Sequence, residues 1–138
     1  MSANSPNSAR RAPCELDEQI VGMIRRSRRP LSAYDIIDLF ADQQVKVVPT
    51  QIYRCLGRLI EGGVVRRIAS LRAFCMREND QEAVIFCRVC GAHIRLRDDR
   101  VFGSINTAAR HEGFVDLETA IEVSGHCRNC RDPNSGIL

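Results

Sequence analysis

The chain lacks any apolar run approaching the roughly 18 residues of a membrane-crossing helix, and its start, MSANSPNSARR, is too polar for a signal-peptide core. A cytoplasmic protein with no membrane partner is therefore expected. Lysine is nearly missing: of 20 basic residues only Lys46 is not arginine, a bias that a GC-rich genome accounts for without any functional cause. At 138 residues there is room for one ordinary domain or two small ones, each barely large enough to bury a core unaided. Hydrophobic residues at 44% and charged residues at 27% exclude a disordered chain. Seven cysteines in a reducing compartment point to metal and not to disulfides.

Four of those thiols are arranged as a pair of pairs, Cys87-Arg88-Val89-Cys90 and Cys127-Arg128-Asn129-Cys130. A Cys-x-x-Cys turn converges two sulfurs on one ion from a single knuckle, so two knuckles complete the closed tetrahedral shell of one structural Zn²⁺ per chain. The long stretch between the pairs must hold a folded unit of its own, with the metal as its clasp. His126, beside Cys127, finds no ligand position in a complete shell of four sulfurs and is expected to hydrogen-bond near it. Cys14 is expected to be a free thiol preceding the first helix.

Charge divides the chain. Through Arg77 there are 13 basic and 7 acidic residues, a balance of +6, whereas from Glu78 onward 7 basic and 10 acidic residues give −3. The first half suits a polyanion and the second does not. Residues 1–13 lack periodicity and read as a disordered tail, solvated or brushing phosphate through Arg10 and Arg11. From Glu15, Leu16, Ile20, Met23 and Ile24 fall at helical spacing and predict a first helix, ended by Arg25, Arg26, Arg28, Arg29 and Pro30. That basic cluster complements the helix dipole and need bind nothing. Ser32 with Asp35 predicts a capped second helix through Ala33, Ile36, Ile37 and Phe40, stopping near Asp42.

Pro49 suits the first position of a third helix. There Ile52, Cys55, Leu56, Leu59 and Ile60 form a core-facing stripe, making Cys55 a small buried hydrophobe. Gln51, Arg54 and Arg58 share the opposite side, with Thr50 and Tyr53 beside them, and Gly62-Gly63 ends the helix. Val64–Ile68 and Ala73–Arg77 then read as a hairpin around a tight turn. Three helices and a hairpin make a winged helix-turn-helix over residues 14–77, with arginine and glutamine available to read base edges in double-stranded DNA and hairpin arginines available to phosphate. The same elements would also serve a protein-binding module. Residues 78–82 read as a polar hinge. Residues 83–131 read as a small α+β domain with strands at Ala83–Phe86, Ala92–Leu96 and around Phe114 and Ile121–Val123, a helix from Asp98-Asp99 to Gly113, and sheet edges able to pair with a second copy. Residues 132–138 read as a second disordered tail. The fold class is α+β.

Pro49-Thr50-Gln51-Ile52-Tyr53-Arg54-Cys55-Leu56, then Gly63 to Leu71, then Cys87-x-x-Cys90-Gly91 and Gly125-His126-Cys127-x-x-Cys130 resemble the ferric uptake regulator family, and within it the zinc uptake regulator branch. The resemblance covers about Ser32 to Cys130. It implies a homodimeric DNA-binding repressor, with the winged helix on a palindromic operator and the second domain dimerising around a structural Cys₄ zinc. Tyr53 and Arg54 fall on the family's operator-contacting positions, and the four clasp cysteines on its structural ligands.

The family's second, sensing metal site does not carry over. Its hairpin, post-hairpin and post-knuckle ligand positions hold Arg66, Arg77 and Arg95, its His-rich linker is shortened to Asn79-Asp80-Gln81-Glu82, and the ferric branch's further His and Glu positions hold Thr119 and Phe102. Arginine is always protonated and offers no lone pair to a cation. Three readings stay open. The arginines could pair with Glu78, Asp80 or Glu82 and replace the metal by fixed charge. A sensor could be displaced to Cys75, Glu82 and His93, with His111, since a shift of two keeps a residue on the same strand face. The arginines could instead line a pocket for an anionic effector.

Outside this class, a nucleobase deaminase needs an H-x-E element and a Pro before its Cys pair. Here His111 is followed directly by Glu112 and no Pro precedes Cys87 or Cys127, so the protein is not expected to be an enzyme. A thiol redox switch, in which oxidation of the clasp ejects zinc, is the alternative regulator.

Overall fold

The computed structural model describes residues 13–79 and 81–131. Both expected tails, with Arg10 and Arg11, and the linker residue Asp80 lie outside them. The chain divides into two compact units, Met1–Arg77 and Glu78–Leu138. Among the described residues no helix is long and apolar enough to cross a membrane.

The first unit is a winged helix built from α1 (Pro13–Arg26), α2 (Ala33–Asp42), α3 (Pro49–Glu61), β1 (Val65–Ile68) and β2 (Ala73–Met76). α1 opens at Pro13, where proline's missing N–H costs nothing, so Cys14 sits within the first turn of the helix instead of before it. α2 is started by a reciprocal cap: Asp35 N–H donates to Ser32 Oγ at 3.0 Å and Ser32 N–H to Asp35 Oδ2 at 2.9 Å. Such a cap stabilises a helix by about 1 kcal/mol. Ile20, Ile36, Phe40, Ile52 and Leu56 are fully buried and lock the three helices together. The strands pair antiparallel from Val65↔Met76 to Ile68↔Ala73. Leu31 adds a third rung, donating its N–H to Phe74 O at 3.0 Å and accepting from Phe74 N–H at 2.7 Å. The wing is thereby tied to the segment between α1 and α2.

The second unit comprises β3 (Glu82–Cys87), β4 (His93–Arg97), α4 (Asp99–His111) and β5 (Glu122–Gly125). The sheet order is β4-β3-β5, with β4 antiparallel and β5 parallel to β3. As the central strand, β3 is buried almost throughout. Asp98 caps α4, accepting from Arg100 N–H at 3.0 Å and Val101 N–H at 3.1 Å. Phe102, buried, is the α4 side chain that anchors the helix.

Two sequence expectations change here. Glu82 belongs to β3 and is buried instead of lying in a solvated linker, because it pairs with Arg97 in the ladder and its Oε1 accepts the Glu78 N–H at 3.0 Å. Phe114 is exposed and in no strand: the turn after α4 closes through Phe114 N–H to Ala109 O at 3.1 Å, and the last strand starts only at Glu122.

Candidate metal centre and nucleic-acid interface

The register of the second unit assembles the clasp. Cys87 at the end of β3 lies opposite Gly125 at the end of β5, so the knuckle that starts at Cys127 folds over the first knuckle. Gly91 takes φ +77°, a left-handed turn that a side chain would strain, and its N–H donates to Cys87 O at 3.0 Å, closing the first knuckle. The second closes through Cys130 N–H to Cys127 O at 3.0 Å. Arg88 stitches the knuckles across, donating to Ser124 Oγ at 2.9 Å from its side chain and to Gly125 O at 2.9 Å from its backbone.

The four sulfurs lie within 4.8 Å of one another, and Cys90 Sγ is 3.8 Å from Cys127 Sγ. A tetrahedral ion with Zn–S bonds of about 2.3 Å spaces its sulfurs by about 3.8 Å. Backbone N–H groups already aim at the sulfur of Cys87, from Cys127 at 3.4 Å and Val89 at 3.4 Å. The Cys127 N–H is the main cause holding the Cys87 thiol down at about 5, whereas hydrogen bonding from the Cys127 and Cys90 side chains pushes Cys130 up to about 12. The backbone N–H groups thus favour the thiolate form of Cys87 that a metal needs, and metal binding displaces the protons of the ligating thiols. The site fits one structural zinc. His126 is exposed and, with His93, lines a cavity of about 280 Å³ next to Cys87 and Cys127.

Of the residues considered for a relocated sensor, the two on the second unit's sheet, Glu82 and His93, do not converge. Cys75 is buried in β2 of the first unit. In the second unit Glu82 pairs with Arg97 and His93 with Phe86, placing their backbones at opposite ends of the β3–β4 ladder, about 13 Å apart. His111 is exposed at the end of α4. Among the described residues the four clasp cysteines form the group of three or more potential ligands, and none of these four residues joins it. Of the arginines expected at the hinge, Arg95 ion-pairs with Glu78, Nη2 to Oε1 at 2.6 Å. Arg66 stands opposite Cys75 in the hairpin, and Arg77 follows β2 with its N–H on Val64 O at 2.9 Å. Thr119 donates to Asn106 Oδ1 at 2.5 Å and Phe102 is core, so both serve packing.

On α3, Thr50, Tyr53 and Arg54 are exposed. Among the described residues the side chains of Tyr53 and Arg54 make no hydrogen bond or ion pair. Gln51 turns back on its own helix, its Oε1 accepting from Val48 N–H at 3.1 Å. Arg58, one turn after Arg54, is engaged within the protein. It leans onto α1, with Nη2 2.8 Å from Asp17 Oδ1 and Nε 3.2 Å from Asp17 Oδ2. Helical spacing alone pointed to Arg58 as a fellow reader; an acid on α1 flanking the apolar Leu16 was the one signal of its partner.

The family model for the ferric uptake regulator family matches residues 16–124. The zinc uptake regulation protein of Escherichia coli K12 is 29% identical over 105 residues, covering 72% of this chain and 61% of that protein, so the match spans less than two thirds of that relative's length. The zinc uptake regulation protein of Mycobacterium tuberculosis H37Rv is 28% identical over 105 residues, covering 72% of this chain and 79% of that one. A solved zinc uptake regulator complexed with zinc and DNA shares the fold at a TM-score of 0.78 and 23% identity, covering 92% of this chain and 89% of that chain. With the family model spanning most of the chain, this protein belongs to the ferric uptake regulator family.

Proposed function

We propose that this protein is a transcriptional repressor that binds a palindromic operator as a homodimer and needs no second metal at its hinge. The observation that carries the reading is the α3 surface, where Tyr53 and Arg54 are exposed and unengaged among the described residues, in the half of the chain that carries +6. The basic half steers the winged helix onto the duplex by displacing counterions. Arg54 presents a guanidinium fork suited to guanine O6 and N7, Tyr53 and Thr50 flank it, and the exposed wing residues Arg67 and Arg72 meet phosphate. This is recognition and not catalysis. When bound, zinc supplies a four-sulfur cross-link between the knuckles, with no position left for a reacting water.

Homodimer formation is supported by the apolar residues that the second unit leaves exposed: Ile94 and Leu96 on β4, Val101 and Ile105 on α4, and Val123 on β5. Three family ligand positions hold arginine, and Arg95 is committed to Glu78. A fixed cation there stands in for a sensed one.

The test uses the full-length, zinc-loaded chain, a duplex recovered by iterative selection from a random pool, and a scrambled duplex of the same composition. By fluorescence anisotropy, Arg54→Ala should weaken the selected duplex by about 1–3 kcal/mol, the worth of a bidentate base contact, and the scrambled one by less. Zinc added beyond one equivalent should leave affinity unchanged. Equal weakening of both duplexes would show that Arg54 reads no bases, and a tenfold response to added zinc would overturn the fixed-charge hinge.

A further inference from the structure

We infer that Arg58 is a positioning residue, which clamps the recognition helix α3 to α1 through Asp17 and takes no part in reading bases. The inference rests on the DNA-binding reading above. The Nε and Nη2 edge of Arg58 makes two bonds to the Asp17 carboxylate, 3.2 and 2.8 Å long, across 41 residues of sequence, and Nη2 also lies 3.2 Å from Cys55 Sγ. This is the edge a guanidinium would offer to guanine. It is spent inside the protein.

The surroundings favour keeping it there. The Asp17 side chain is only 19% exposed, so withdrawing Arg58 would strand a mostly covered carboxylate. Cys55, one turn before Arg58 on α3, is buried in the core between the helices and supplies a soft acceptor to the same Nη2 that bonds Asp17. The fork therefore fixes both the separation and the rotation of α3 relative to α1. Tyr53 and Arg54, on the outward face, inherit that orientation.

The sign of the charge change provides the test. Asp17 is acidic, so if it acted on DNA only through its field, its neutralisation would strengthen binding to a polyanion. As the anchor of the clamp, its neutralisation should weaken binding. In full-length zinc-loaded protein, Asp17→Asn and Arg58→Gln are each expected to lower affinity for the selected duplex about three- to tenfold, and for the scrambled duplex by less, because the base readers Tyr53 and Arg54 are what the clamp orients. The double variant should be no worse than either single one, and Arg58→Lys, which keeps one charged bond to Asp17, should recover most of the loss. Thermal unfolding of the wild type and the four variants checks that each folds and measures the coupling of the pair without DNA. If Asp17→Asn binds the selected duplex as well as the wild type or more tightly while Arg58→Gln weakens it, Arg58 is a DNA contact and the clamp is refuted. If the wild-type chain selects no duplex at all, the DNA-binding reading fails, whatever the unfolding coupling shows.

Discussion

Removing zinc should unfold the second unit and leave the first standing. The magnitude follows from the geometry of the clasp. Cys90 and Cys127 are 37 residues apart in sequence, and closing a loop of that size costs an unfolded chain about 4 kcal/mol of entropy. Direct coordination adds to this, since structural zinc sites in small domains are worth about 10 kcal/mol or more at neutral pH. Against that, the second unit has a thin core: among its described residues, those buried and apolar besides Cys87 are Ala83, Val84, Phe86 and Phe102. A core of that size in so short a chain supplies about 3–5 kcal/mol at most. Loss of the cross-link alone removes stability of the same size, so the apo unit should be largely unfolded at 25 °C. The first unit has its own core around Ile20, Ile36, Phe40, Ile52 and Leu56 and should persist. The assay is hydrogen exchange read by mass spectrometry on zinc-loaded protein and on protein stripped by a strong chelator under reducing conditions. Peptides spanning 82–97 should lose protection on stripping, while peptides spanning 49–61 keep it. Retained protection in β3 of the stripped protein would refute the reasoning, because the sheet would then hold without its clasp.

Other expectations follow from single positions. Gly57 sits mid-helix on the exposed side of α3, and a methyl group there would meet nothing within 4 Å. Gly57→Ala should therefore stabilise the first unit by about 1 kcal/mol, seen as a higher Tm, yet weaken the selected duplex because it stands one turn from Tyr53; unchanged binding would place the contact elsewhere on α3. Burial, and then Asp17, push the Cys55 thiol up to about 11 from an ordinary 9.0. The folded state thus holds its proton longer than the unfolded state does: this contribution is intact below pH 9, falls at up to about 1.4 kcal/mol per pH unit above it, and is lost once pH passes the folded value. Urea unfolding between pH 8 and 11 should show that slope in the wild type and not in Cys55→Ala. Ile105→Glu, on an exposed α4 position, should yield a monomer by light scattering with the melting of the second unit otherwise retained, and a dimer that survives it would move the interface off that face.

What the sequence disclosed was what is local or repeated at fixed spacing. The cap of α2 is an exchange between Ser32 and Asp35, the α3 stripe repeats every turn, and each knuckle is a four-residue motif, so all of them can be read without knowing the fold. Pairings across long separations could not be read in that way. Leu31 as a rung beside the wing, Asp17 as the partner of Arg58, Arg88 on Ser124 and Glu82 turned inward onto the Glu78 backbone all depend on where the chain returns. Phe114 misled for a related reason: aromatic strand propensity loses to the turn that closes α4, where the backbone already has its hydrogen bond. Strand register was likewise hidden from the reading of a displaced sensor. A shift of two residues along a strand preserves the face, but Glu82 and His93 were never at the same end of the ladder.

Magnitudes also separate the roles of the two polar features in the second unit. The Arg95–Glu78 pair is short, but its side chains are 26% and 66% exposed, and an ion pair so open to water contributes about 0–1 kcal/mol. It cannot be what keeps the sheet folded. Its effect is geometric: Arg95 takes the side chain of Glu78 while Glu82, four residues on, takes the Glu78 backbone N–H, so the first residue of the second unit is gripped twice and the chain enters β3 in one direction. β3 then runs from Glu82 at this grip to Cys87 in the clasp, about 17 Å along one strand. Stability enters that strand at the metal end and chain direction is set at the other. The exposed pair thus sets how the chain enters β3, whereas the clasp zinc supplies stability that no ion pair of this exposure could replace.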